Sequence, residues 1–205
     1  MSAKIVDREL RRLQIASAAM SLFAESGFET TSMNQVAAAA GVGKGTIYEY
    51  FRSKDELIGM SVRIWVEDML EGIKSAIAGI DHPEDRLRSF VEFSVQAFIT
   101  DDSTMRTAVS VFQTVLSNIE NPTFSEGIRN AFEGTWQAIV DIVMDGKADG
   151  LFRIRNRKEA ERIAINLLAF LDGIFLHHLI TGKRFDLLEQ VNHYMEYLLD
   201  THMKS

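Results

Sequence analysis

The chain has 205 residues, 46% of them hydrophobic and 25% charged, which suits one or two ordinary folded domains and excludes an intrinsically disordered polymer. It holds no cysteine, which excludes disulfides and thiolate zinc sites. A formal net charge of -7 excludes a protein coated along its length by nucleic acid. That charge is unevenly placed. Through Lys54 seven cations (Lys4, Arg8, Arg11, Arg12, Lys44, Arg52, Lys54) face five anions, a net of +2, so the remainder carries -9. A small cationic head on an acidic body suits a chain of which one end meets a polyanion.

The N-terminal MSAKIVDRELRRLQ lacks the apolar core of an export signal, and no window approaches 18 uninterrupted apolar residues, so the expected location is the cytoplasm. Apolar residues recur at spacings of three and four, as in Ile15, Ala18, Ala19, Leu22, Phe23 and in Ile163, Leu167, Phe170, Leu171, Ile174, so the fold class reads as all-α. The predicted helices run over about 7–26, 32–40, 43–50, 54–80, 84–100, 104–119, 122–148, 156–181 and 185–202. Gly27, Gly41, Gly150 and Gly182 are expected to stop helices. Thr31 and Ser32 are expected to cap the second helix, Ser53–Glu56 to form a capping box opening the fourth, and Asn121 to cap the helix that starts at Pro122.

The stretch GVGKGTIYEYFRSK, residues 41–54, carries the chemistry. It is not a Walker A loop: aligned on Gly43-Lys44, that motif would need a glycine at Ala38 and a hydroxyl at Gly45. It is not a dinucleotide fingerprint either, since Thr46 stands in the last glycine position and AAAA, a helix former, precedes it. Two short helices meeting at a tight turn need a small crossing residue, a backbone able to take the left-handed region, and an apolar residue returning to the core. Ala37, Gly41 and Ile47 supply these, with Val36, Ala40 and Val42 completing the inner face. The pattern is a helix-turn-helix of about 32–51.

In that frame Gly43, Lys44, Gly45 and Thr46 form the exposed start of the second helix, where bare glycines let backbone approach a duplex. Lys44 can reach a base edge or phosphate, Thr46 a base or backbone oxygen, and Tyr48 a sugar or thymine methyl. Tyr50, Thr31, Ser32 and Lys54 are placed as phosphate contacts. Glu49 could accept from a cytosine amino group, but a charge there is more often merely solvated.

From Ile15 to Leu57, IASAAMSLFAESGFETTSMNQVAAAAGVGKGTIYEYFRSKDEL resembles the DNA-binding head of TetR-family transcriptional regulators. The resemblance implies DNA contacts by Thr31, Ser32, Lys44, Thr46, Tyr48, Tyr50 and Lys54. It departs where Gly43 replaces the serine common in the family, which removes a side-chain contact to phosphate. An N-terminal DNA-binding domain over 1–53 and an effector-binding and dimerisation domain over 54–205 are then expected.

One head covers few base pairs, so useful affinity needs a homodimer with half-sites roughly 34–36 Å apart or a multiple. The wide apolar faces of the last two helices are the candidates, through Leu167, Leu171, Gly173, Ile174, Val191, Met195 and Leu198. The resemblance implies that they form a four-helix bundle across a two-fold axis. It also implies an effector pocket in the middle of the chain, for which Trp65, Met69, Phe93, Met105, Phe112, Trp136 and Phe170 are the candidate lining, suited to an apolar or aromatic small molecule. Aromatics at helical spacing are also what an ordinary core contains.

His177 and His178 are adjacent, so on a helix they point about 100° apart and cannot chelate one ion; no metal or other cofactor is expected. No G-x-S-x-G elbow or H-E-x-x-H helix occurs, so no enzyme activity is expected. The sequence therefore reads as a ligand-responsive regulator, and the resemblance implies a repressor. The rivals are a helix-turn-helix regulator without a small-molecule effector, an enzyme with an incidental head, and an architectural DNA binder.

Overall fold

The computed structural model describes residues 3–99, 102–118, 120 and 122–202. Among them the chain forms α1 (Ala3–Ser26), α2 (Met33–Ala39), α3 (Ile47–Tyr50), α4 (Lys54–Ile77), α5 (Pro83–Ile99), α6 (Asp102–Ser117), α7 (Pro122–Ala148), α8 (Arg157–Ile180) and α9 (Leu187–His202). The all-α expectation is borne out. Gly27, Gly41, Gly150 and Gly182 all take positive φ at the expected stops. The cap expected at Asn121 lies outside the described residues.

Helix starts follow local chemistry. Ser32 accepts from the Gln35 N–H, and the Gln35 side chain accepts from the Ser32 N–H at 2.8 Å, a complete capping box. At α4 the reciprocal bond is displaced by one residue. Ser53 Oγ accepts from the Glu56 N–H at 3.1 Å, while Glu56 accepts from the N–H of Arg52 rather than Ser53. Asn156 accepts from the Glu159 N–H and so caps α8.

The chain divides into two compact units, one of residues 1–69 with 101–132 and the other of 70–100 with 133–205, the divisions falling within α4 and α7. In the first, Ile15, Ala16, Ala19 and Phe23 of α1 meet Val36 and Ala37 of α2, Ile47 of α3, Phe51 just after it, Leu57, Val62 and Val66 of α4, and Val111 of α6. The buried Ser61 hydroxyl is satisfied at 2.9 Å by the Ala16 carbonyl, as a polar group in such a core must be.

In the second unit α9 packs against α5 and α8. Arg88 of α5 bonds Glu196 of α9 and Glu84 of its own helix, both at 2.8 Å. Phe98 stacks on Phe175 at 4.0 Å and Phe170 on Tyr194 at 3.8 Å. Gly146 is fixed by packing: a Cβ there would stand 2.3 Å from the Phe152 ring.

Candidate nucleic-acid interface

The helix-turn-helix is pinned at both ends and bare in the middle. Val36 and Ala37 are buried in α2, Gly41 takes φ +63 in the turn, and the Val42 N–H donates to the Ala37 carbonyl at 2.9 Å. Ile47 and Phe51 are fully buried and clamp the second helix to the core. Between the anchors Gly43, Lys44 and Gly45 are exposed and Thr46 is half-buried.

This second helix is shorter than its sequence suggested. Regular α-helix spans only Ile47–Tyr50; the preceding residues form a tighter turn, with the Tyr48 N–H on the Gly45 carbonyl and the Glu49 N–H on that of Thr46. Two glycines in three residues lower helix propensity enough to delay the start. Gly45 itself is not demanded by its own chain, because a Cβ there would meet no atom within 4 Å.

The DNA-contact candidates fall into distinct settings. Lys44 is exposed, with no hydrogen bond or ion pair among the described residues, and Tyr48 is 52% exposed. Tyr50 is half-buried against the core. Ser32 is exposed but serves as the α2 cap. Lys54 donates one of its three N–H groups to the Glu29 carbonyl at 3.0 Å. Thr31 is different. It is buried and donates to the Gly27 carbonyl at 2.8 Å, which gives its side chain a place inside the α1–α2 turn rather than on the surface.

Three residues counted in the sequence only as charges have specific partners. Arg8 donates to the Glu49 carbonyl at 2.8 Å, Arg12 to the Tyr50 carbonyl at 2.5 Å, and Arg11 to the Ala40 carbonyl at 3.4 Å. Arg12 also pairs with Glu56 at 2.9 Å and lies 4.6 Å over the Phe51 ring. Partial burial alone would raise the Glu56 carboxyl, but the Arg52 N–H and the Arg12 guanidinium outweigh it and hold the group below its ordinary value. The signal was present in the i, i+3, i+4 spacing of 8, 11 and 12, which puts all three on one face. Arg8 and Arg12, but not Arg11, line an open cleft of about 780 Å³ with Tyr48, Tyr50 and Arg63.

The effector candidates are scattered. Trp65 lines a groove with Met20, Asp68 and Thr107; Trp136 lines another with Glu133 and Glu161; Phe170 lines a third with Tyr194 and Tyr197. Met105 is buried core, Met69 and Phe93 are half-buried, and Phe112 is 39% exposed. The Phe93 ring instead fills the space beside Gly72, where a Cβ would stand 2.5 Å away.

Of the dimer candidates, Leu167, Leu171, Val191, Met195 and Leu198 are buried within their own unit, which leaves them little surface to offer a second chain. The apolar residues on the outer surface are Ile165, Leu176 and Ile180 of α8 and Tyr197 of α9, with Ile174 and Gly173 half-buried and open space before Gly173. α8 is apolar on both sides, so periodicity could not choose the inward one. It is long and apolar enough to cross a membrane, yet only 33% of its most apolar stretch is buried. Asp172 lies on this outer side, and partial burial pushes its carboxyl up to about 6 although its edge meets solvent. His177 is exposed while His178 is buried beside the Phe185 ring.

Comparison with known proteins matches residues 15–59 to the family described as bacterial regulatory proteins, tetR family, and residues 83–203 to the BetI-type transcriptional repressor C-terminal family. The HTH-type transcriptional regulator HbdR of Aromatoleum sp. (strain CIB) is 40% identical over 79 residues, covering 38% of this chain but only 34% of that protein. The HTH-type transcriptional repressor KstR2 of Rhodococcus jostii is 26% identical over 70% of this chain and 68% of its own length. The HTH-type transcriptional regulator BetI of Yersinia pestis is 24% identical over 98% of both chains. Among solved structures, a TetR transcription regulator from Haloarcula marismortui shares the fold with a TM-score of 0.80 at 17% identity, covering 96% of this chain and all of that one. A transcriptional regulator from Saccharomonospora viridis in complex with choline does so with a TM-score of 0.76 at 23% identity, covering 96% and 99%.

Proposed function

The chain belongs to the TetR family of bacterial transcriptional regulators, and on that premise we propose that it is a ligand-responsive repressor that binds a palindromic operator as a homodimer. The observation that carries the DNA reading is the bare turn from Gly43 to Thr46. Its glycines are exposed, Lys44 has no partner among the described residues, Tyr48 stands beside it, and Gly45 lacks a side chain for no reason within its own chain. Lys44, Thr46 and Tyr48 read the major groove, while Ser32, Tyr50 and Lys54 position the backbone phosphates.

Dimerisation is supported by the outer side of α8 and α9, where Ile165, Leu176, Ile180 and Tyr197 are uncovered. A two-fold pairing there would bury apolar surface that a lone chain leaves in water and would present two heads to two half-sites. Regulation follows from differential affinity: an apolar or aromatic effector held by the 54–205 segment prefers the conformation in which half-site spacing is lost, and DNA prefers the other.

A genome-fragment binding selection tests this reading, with Lys44→Ala and Tyr48→Ala as controls. The parent should enrich a few fragments carrying inverted repeats, and each variant should lose them. Equal recovery by parent and variants would remove the assignment. The scatter of the candidate lining residues over three grooves favours a second reading, a regulator without a small-molecule effector. A thermal-shift screen in which no compound raises the Tm, with operator binding intact, would decide for it.

A further inference from the structure

The α3 helix has four residues, too few to hold its own shape in water, since helix nucleation is unfavourable and only added turns repay it. Its last carbonyls, like those of any helix end, need donors from outside the helix. Two come from α1: Arg8 donates to Glu49 and, one turn on, Arg12 donates to Tyr50. Arg11 does the same for Ala40, the residue that closes α2. A guanidinium at the negative end of a helix dipole is favourably placed.

Arg12 has a wider reach. Its Nη1 holds the end of α3, its Nη2 holds Glu56 in the first turn of α4, and its plane covers Phe51, the buried residue that joins the two. The other oxygen of Glu56 takes the Arg52 N–H at 2.8 Å, so the link between α3 and α4 is tied from both sides. The planar fork of arginine suits this set of partners, which a lysine point charge would not hold in one geometry.

We propose that Arg12, supported by Arg8, is a positioning residue for DNA recognition: it locks the short second helix of the helix-turn-helix to α1 and α4, and it is not a phosphate contact. This rests on the DNA-binding reading above. The cationic count of the head then overstates its phosphate contacts. Arg12 is already neutralised by Glu56, and Arg8 and Arg11 keep their charge but direct N–H groups at their own backbone.

The test compares the parent with Arg12→Gln, Arg12→Lys and Arg8→Gln in the full-length protein, titrating an operator fragment from the selection against salt. Arg12→Gln should weaken binding about tenfold or more, and Arg8→Gln by less. The slope of log K against log salt should stay at the parent value for both, whereas losing a phosphate contact would reduce it by about 0.9. Arg12→Lys should fail almost as badly as Arg12→Gln; a phosphate contact would survive that exchange. Amide hydrogen exchange without DNA supplies the second arm: residues 47–51 should exchange faster in Arg12→Gln, with the α1 and α4 core unchanged. Exchange quickened evenly across the unit would make Arg12 a stability residue only and overturn the proposal, as would a reduced slope or unaltered binding. A parent that enriches no fragment would sink the DNA reading instead, and the exchange arm would still show whether Arg12 holds α3.

Discussion

At the helix-turn-helix the apolar residues Val36, Ala37, Ile47 and Phe51 all turn inward, and the exposed residues are small or polar, among them Ser32, Asn34, Gln35, Ala38, Ala39, Gly43, Lys44, Gly45 and Glu49, with Tyr48 beside them. On α8 apolar residues turn both ways: Ala160, Ile163, Ala164, Leu167 and Leu171 inward, Ile165, Leu176 and Ile180 outward. The first surface is finished as a single chain, because every large apolar group but Tyr48 has a place. The second is unfinished. The contrast teaches that polar and backbone-rich surfaces are built for a hydrated polyanion, whereas a two-faced apolar helix is built for two layers of protein.

The largest effect should come from charging the unfinished side. Leu176→Arg with Ile180→Arg should give lone subunits by sedimentation at micromolar concentration and cut operator affinity by about 10²-fold or more, as the second head is lost. Leu167→Ala should do the opposite, lowering stability by about 2–5 kcal/mol in chemical denaturation while the folded fraction keeps its oligomeric state. If the two results were exchanged, the assignment of inner and outer sides would be reversed.

Next in size is the turn between α2 and α3. Gly41→Ala should lower stability by about 1–2 kcal/mol, since φ +63 is strained for any side chain and the turn bonds hold it there. A Gly45→Ala partner should leave the melting temperature unchanged and lower only DNA affinity, because there is space for its methyl in the free protein. Together they separate a glycine required by the fold from one required by the duplex.

Smaller effects are linked to pH. Asp172 titrates near 6 in the folded chain against 3.8 as its ordinary value, so the folded state binds its proton more tightly and stability falls as pH rises between those values. Asp172→Asn should therefore melt higher than the parent above pH 6, the gap closing as pH falls below about 4. Glu56 has the opposite sign. Its carboxyl is held below the ordinary 4.5, so its contribution is present above that pH and lost as acid protonates it. Parent and Glu56→Gln should differ at pH 7 and draw together in thermal melts as acid takes the pH below 4.5 and protonates the carboxyl.

Much of the head was legible because its determinants lie close in sequence. The Ser32–Gln35 box, the left-handed Gly41 and the return of Ile47 are each a few residues apart, and each allows one local geometry. The length of α3 was not legible, since two glycines oppose helix while their neighbours favour it, and the balance depended on where the core seized Ile47 and Phe51. Thr31 was misplaced for a related reason: a hydroxyl can cap a helix from outside or bond the preceding turn from inside, and only packing chose the second.

The sequence by itself determined that the chain is all helix, where most helices stop, and that residues 32–51 make a turn suited to a duplex, because these follow from periodicity, caps and backbone freedom within a turn or two. The tertiary structure alone decided which side of α8 is inner and that Arg8, Arg11 and Arg12 donate to carbonyls of their own backbone. The physical reason is that an apolar residue or a guanidinium accepts any suitable partner, and sequence records the capacity while only folding brings one partner within reach.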